Sequence, residues 1–289
     1  MRALLLALLL MLSMSPAGAE LPAGSSRIEI AEPTGAQPEL PLPVWLHRPA
    51  TWRPGGPVLA VMHGNQRNGD HYRDDWAPLA EQHGLLLVVP EFSQAKYPGI
   101  ANYNYGGAVD AEGRPRPREA WSFFALDRAV AAAQRAAGAA EGPFALFGHS
   151  AGSQFVHRYL LLTGAPRVGA IVIANAGSYT LPLTDRPFPE GLAGLPGAEA
   201  SLRAAFARPV VVELGEADTD PNHDSLPTQP WARAQGSHRY ARGWHFFDLA
   251  RRQAAALGAP FAWRVVSVPG VGHQNAGMAR AAIGVLAGR

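Results

Sequence analysis

Two hydrophobic rhythms alternate along the chain. Residues 56–63, 85–90, 144–147, 168–174, 209–214 and 261–268 are apolar almost throughout. A strand covered on both faces reads this way, because neither side of its pleat meets water. Between them, residues 73–83, 121–137, 154–162, 198–206, 243–257 and 276–286 repeat apolar positions every three to four residues, the period of a helix with one buried stripe. Residues 27–30 and 42–47 read as opening strands inside a Pro-rich lead-in over 20–43. Buried strands alternating with helices predict the α/β class, a mostly parallel central sheet with helices on both faces. No internal repeat or second domain boundary interrupts the pattern.

The first residues follow another logic. Arg2, an apolar run over 3–12 and Ala17-Gly18-Ala19 form a positive start, a hydrophobic stretch and a small-residue cleavage site. Residues 1–19 are therefore expected to be a secretory signal peptide, too short for a bilayer-spanning helix, with a single domain over 20–289. The chain has no cysteine, so thiolate metal sites and lipid attachment at cysteine are excluded, and disulfides cannot support an exported fold. Without Arg2, 24 basic residues face 23 acidic ones, and Lys96 is the only lysine. That balance, with no basic run, gives no electrostatic case for nucleic acid or an anionic membrane as partner.

Chemistry concentrates after the strand at 144–147. Gly148-His149-Ser150-Ala151-Gly152 fits the G-x-S-x-G elbow, where a tight strand-to-helix turn lifts a serine hydroxyl above the sheet. Two further polar clusters follow later strands: Asp218 or Asp220, then His273 in a glycine-rich loop. Reactive groups in parallel sheets gather at the carboxyl ends of strands, and the order serine, acid, histidine is that of the α/β-hydrolase fold. A neutral serine needs a base, and a carboxylate holds the imidazole in the working tautomer. The backbone N–H groups of Ala151 and of Asn65, in the loop after residues 56–63, are the expected oxyanion donors. His149 is expected to pack under the turn, and His71, His83, His223, His238 and His245 to be surface or structural. Residues 218–224 resemble the first half of a calcium loop, but His223 stands where glycine is needed and Gln229 where glutamate is needed, so no metal site is assigned.

The stretches 62–72, 88–99, 147–159, 213–221 and 270–278 resemble α/β-hydrolase esterases of the polyhydroxybutyrate-depolymerase-like and feruloyl-esterase-like group. That resemblance favours Asp218, in Gly215-Glu216-Ala217-Asp218, as the acid, and implies a serine esterase without cofactor acting on small or oligomeric esters. The chain lacks the disulfides and added polymer-binding module of extracellular polyester depolymerases, and residues 176–208 allow only a modest lid before the acid strand. The long loop 91–118 is expected to wall the cleft, with Tyr97, Tyr103, Tyr105 and Tyr179 as candidate substrate contacts. Short-chain, hydroxyacyl or hydroxycinnamoyl esters are the expected substrates. A peptidase on the same fold and a non-catalytic binding protein are the alternatives.

Overall fold

A computed structural model describes residues 21–110 and 112–288; the expected signal peptide lies outside them. Among the described residues one sheet holds eight strands: β1 (Gly24–Ile30), β2 (Leu42–Arg48), β3 (Val58–Met62), β4 (Leu86–Pro90), β5 (Phe144–His149), β6 (Val168–Ala174), β7 (Val210–Gly215) and β8 (Trp263–Val268). Their spatial order is β1-β2-β4-β3-β5-β6-β7-β8. Only β2 runs against its neighbours; the pairs from β4 to β8 are parallel.

The helices are α1 (Gly69–His83), α2 (Gly99–Asn102), α3 (Phe123–Ala136), α4 (Ala151–Thr163), α5 (Ala198–Phe206), α6 (Pro230–Arg233), α7 (Arg239–Ala256) and α8 (Asn275–Leu286). α1 and α8 cover one face of the sheet, while α3, α4 and α7 cover the other. The pleat sorts each strand between these two cores. Val58, Ala60 and Met62 of β3 pack with the α3 and α4 side, and Leu59 and Val61 with the α1 and α8 side. With both faces dry, β3, β4 and β7 are buried at every position, which is why they read as continuous apolar runs.

Two boundaries depart from the hydrophobic pattern. α1 begins at Gly69, before its apolar stripe, because the Gly69 N–H donates to Glu91 Oε2 (3.2 Å), which also accepts from Trp45 Nε1 (2.7 Å). The stretch over 91–118 contains α2 and folds inward. Lys96, 1% exposed, donates to the carbonyls of Glu32, Gln37 and Pro38 and fastens the lead-in to it.

The sheet also fixes where a ligand can enter. β3 pairs with both β4 and β5, so successive crossovers leave β3 in opposite directions. The diverging loops open a crevice at the carboxyl ends of β3 and β5.

Candidate active site

Between β5 and α4 the chain turns within one residue. Ser150 is held at φ 58°, ψ −117°, a conformation that side chains rarely adopt. The turn needs both of its glycines. A Cβ on Gly148 would lie 2.5 Å from the Gly152 carbonyl oxygen, and one on Gly152 would lie 2.0 Å from that of Met62. The strained turn projects the hydroxyl away from the sheet and leaves Ala151 at the positive N-terminal end of α4.

Ser150 Oγ lies 3.0 Å from His273 Nε2, and His273 Nδ1 lies 2.7 Å from Asp218 Oδ2. Since an ionised carboxylate only accepts, His273 donates from Nδ1 and presents Nε2 as the acceptor for the serine proton. Asp218 is 3% exposed, whereas Asp220 is exposed and accepts from the Asn222 N–H two residues on. Burial pulls the His273 imidazole below its ordinary value; the hydrogen bond to Asp218 opposes that shift, and Arg239 and His223 add to it.

The loop after β3 is set by a buried histidine held neutral at neutral pH. His63 is fully buried, and that burial pushes its pKa down to about 3. Its Nε2 accepts from the Phe92 N–H (3.0 Å) and its Nδ1 donates to the Gly64 carbonyl (3.0 Å). In a trans peptide the N–H points opposite the C=O, so turning the Gly64 carbonyl onto His63 aims the Asn65 N–H away from it. Neither the Asn65 nor the Ala151 N–H has a hydrogen-bond acceptor among the described residues. Both residues line the space in front of Ser150.

That space is two cavities meeting at the serine. The smaller, about 330 Å³, is bordered by Ala151, Gln154, Asn104, Tyr105, Ser178 and Trp231 among others. The larger, about 560 Å³, is bordered by His273, His149, Tyr72, Asp75 and Asn275. Asn65, Ser150, Asp224 and Ser225 belong to both.

Of the four candidate tyrosines, only Tyr105 lines the cleft. Tyr97, Tyr103 and Tyr179 are fully buried, which corrects their assignment as substrate contacts. The rings of Tyr97 and Tyr103 pack on Phe92 at 4.7 and 5.2 Å, and the Tyr103 hydroxyl donates to the His63 carbonyl (2.7 Å). Tyr179 stacks on Phe246 at 4.4 Å, its backbone N–H and C=O both bound by the Gln235 amide. Nor is 176–208 the cleft's cover. It contributes Gly177 and Ser178, while the far wall comes from residues 224–231 after the acid.

Other residues at the site escaped the sequence reading. His149 does lie under the turn, its Nδ1 2.9 Å from the Tyr72 hydroxyl, but its ring also faces His273 at 4.7 Å. His223 makes the hydrogen bonds of a structural group, its Nδ1 3.2 Å from Ser225 Oγ, but its ring also meets His273 edge-on at 5.4 Å. Asn175, with φ 49°, accepts from the Gly215 N–H (2.8 Å) and donates to the Gly272 carbonyl (3.1 Å), joining the ends of β6 and β7 to the histidine loop. The available signal was an asparagine directly after a strand, where left-handed backbone is needed.

No protein-family model matches the chain, and no curated protein sequence matches it. Solved structures do. One is poly(aspartic acid) hydrolase-1 from Sphingomonas sp. KT-1, 38% identical with a TM-score of 0.86, the match covering 92% of this chain and 99% of that one. A second is a poly(3-hydroxybutyrate) depolymerase from Bordetella parapertussis, 38% identical with a TM-score of 0.83, covering 91% and 88%. An S-formylglutathione hydrolase from Agrobacterium tumefaciens, 14% identical with a TM-score of 0.56 over 91% and 95%, shares the fold.

Proposed function

The chain belongs to the polyhydroxybutyrate-depolymerase-like group of α/β-hydrolases and is a serine hydrolase of carboxylic esters, and from that premise we propose an exported esterase working through an acyl-enzyme on Ser150. The observation that carries the site assignment is the line of hydrogen bonds from Ser150 through His273 to Asp218. Ser150 Oγ attacks the ester carbonyl carbon while His273 Nε2 takes its proton, and Asp218 stabilises the imidazolium that forms. The Asn65 and Ala151 N–H groups hold the oxyanion. Collapse of the tetrahedral adduct breaks the bond to the alcohol oxygen, which takes the proton back from His273. Water then repeats the sequence on the acyl group and frees Ser150.

His273 must reach the leaving oxygen, so the alcohol side belongs in the larger cavity that His273 lines, and the acyl group in the smaller one. Asn104, Gln154, Ser178, Tyr105 and Trp231 offer that acyl group hydrogen bonds and flat apolar faces in about 330 Å³. These surfaces support short, hydroxyacyl or hydroxycinnamoyl groups over long alkyl chains. No cofactor enters this chemistry. The apolar stretch and cleavage site over 1–19 support export to the periplasm or medium, and among the described residues no helix is long and apolar enough to cross a membrane.

A second reading, amide hydrolysis, is favoured by the likeness to a poly(aspartic acid) hydrolase. Against it, no lysine or arginine among the described residues lines either cavity, while Asp224 lines both and Asp75 the larger, so a polyanion would meet negative charge. Three experiments test these readings. A fluorophosphonate probe should label Ser150, and p-nitrophenyl esters from acetate to palmitate should turn over best at the short end. A folded protein that neither labels nor cleaves any ester would overturn the esterase reading. Cleavage of poly(aspartic acid) without cleavage of hydroxybutyrate oligomers would favour the amide one.

A further inference from the structure

Asp218 uses only one of its oxygens on His273. The other, Oδ1, lies 3.3 Å from Nη1 of Arg239, the first residue of α7. Both side chains are almost wholly excluded from water, at 0% and 2% exposure. The same guanidinium reaches further: Nη2 donates to Ser225 Oγ (2.8 Å) and lies 3.4 Å from His223 Nδ1. Ser225 borders both cavities, and His223 borders the larger one and meets the His273 ring. One planar group thus touches the acid on one side and the wall dividing the cleft on the other.

We propose that Arg239 is a positioning residue that sets the acid and the cleft wall together, fixing the carboxylate rotamer behind His273 while clamping residues 223–225 beside the substrate. This rests on the esterase reading above. Burying a guanidinium is costly, and a lone carboxylate shared with a histidine compensates it only in part. A lysine could supply the charge, but not two donors diverging in one plane.

The geometry also sets the sign of a pH effect. His273 is faced by Asp218, Arg239, His223 and His149; Arg239 is faced in addition by Asp220, Tyr179 and Arg242. Removing the guanidinium takes away a positive charge that opposes the imidazolium. The imidazole then protonates more readily, and the acid limb of kcat/KM moves to higher pH.

The test uses R239Q, R239K and S225A with p-nitrophenyl butyrate, each compared with the unmodified enzyme across pH. R239Q is expected to lower kcat about 10- to 100-fold by loosening the acid, and to raise the acid-limb midpoint by roughly one unit. R239K should keep the limb near its original place while KM rises, because charge remains and the clamp is lost. S225A should raise KM without moving the limb, and serves if R239Q does not fold. An unmoved limb in R239Q, or R239K and S225A with unchanged KM, would overturn the proposal and leave Arg239 a packing residue. Ser150 labelling is read in parallel on the unmodified enzyme. Its absence would sink the esterase reading, whereas intact labelling with silent variants would sink only the role of Arg239.

Discussion

Among single residues, the sharpest contrast is between two aspartates two positions apart. Asp218→Asn replaces the acceptor at His273 Nδ1 with an amide and is expected to cost about 10³- to 10⁴-fold in kcat. Asp220→Asn, which disturbs only an exposed turn, should stay within a few-fold; steady-state kinetics on both variants decides it. A second prediction concerns protonation. As the proposed base, His273 would accept the serine proton only when neutral, and burial lowers its pKa from 6.5. Thus kcat/KM should rise with pH through a midpoint below 6.5, which a profile from pH 4.5 to 8 would locate. A midpoint above 6.5 would contradict the buried environment of the base. Ser150 and His273 were legible in the chain because each follows an apolar run in the order this fold uses. The tyrosines were not, because alternation cannot tell a ring that lines a loop from one that packs beneath it. Arg239 was hidden for a related reason: an arginine opening a helix reads as solvated, and its partner lies 21 positions upstream.

At the level of elements, the elbow and β7 each carry a feature that can be tested by one substitution. Gly152→Ala would drive a methyl into the end of β3, 2.0 Å from the Met62 oxygen and 2.8 Å from that of His63. Neither is the tip of a flexible side chain, so the variant should lose about 3 kcal/mol or more, read as a fall in the urea midpoint. β7 carries Glu213, 1% exposed, with Oε2 lacking a hydrogen-bond partner among the described residues. Burial pushes its pKa up from 4.5 to about 8, so the native state keeps a proton that the unfolded chain releases. Stability should therefore fall as pH rises from about 4.5 to about 8, by roughly 3 kcal/mol at pH 7. Glu213→Gln removes this dependence, and the stability gap between variant and parent should widen with pH over that window in denaturant titrations. Strands β3, β4 and β7 were plain in the sequence, since burial on both faces leaves continuous apolar runs. The start of α1 was not, because Glu91 sets it from 22 residues downstream. α2 and α6 are single turns, too short to show a period.

For the molecule as a whole, alternating strands and helices were enough to identify the α/β class, and the elbow with its serine, acid, histidine order pointed to a hydrolase, but neither gave the shape of the cleft. The opposing wall comes from residues 224–231, whose Pro, Thr and Gln carry no pattern that distinguishes a binding wall from a surface loop. What that wall encloses has a kinetic consequence. On the proposed acyl-enzyme route, the acyl group would occupy the smaller cavity once the alcohol departs, and the larger one, about 560 Å³, would stand open beside His273. On the proposed mechanism, a small alcohol entering it is expected to surrender its proton to His273 and attack the acyl-serine, giving acyl transfer in place of hydrolysis. Added ethanol should divert p-nitrophenyl butyrate to ethyl butyrate in proportion to its concentration, measured as ester against free acid in the products. Butyrate as the sole product at molar ethanol would mean that the acyl-enzyme meets only water there.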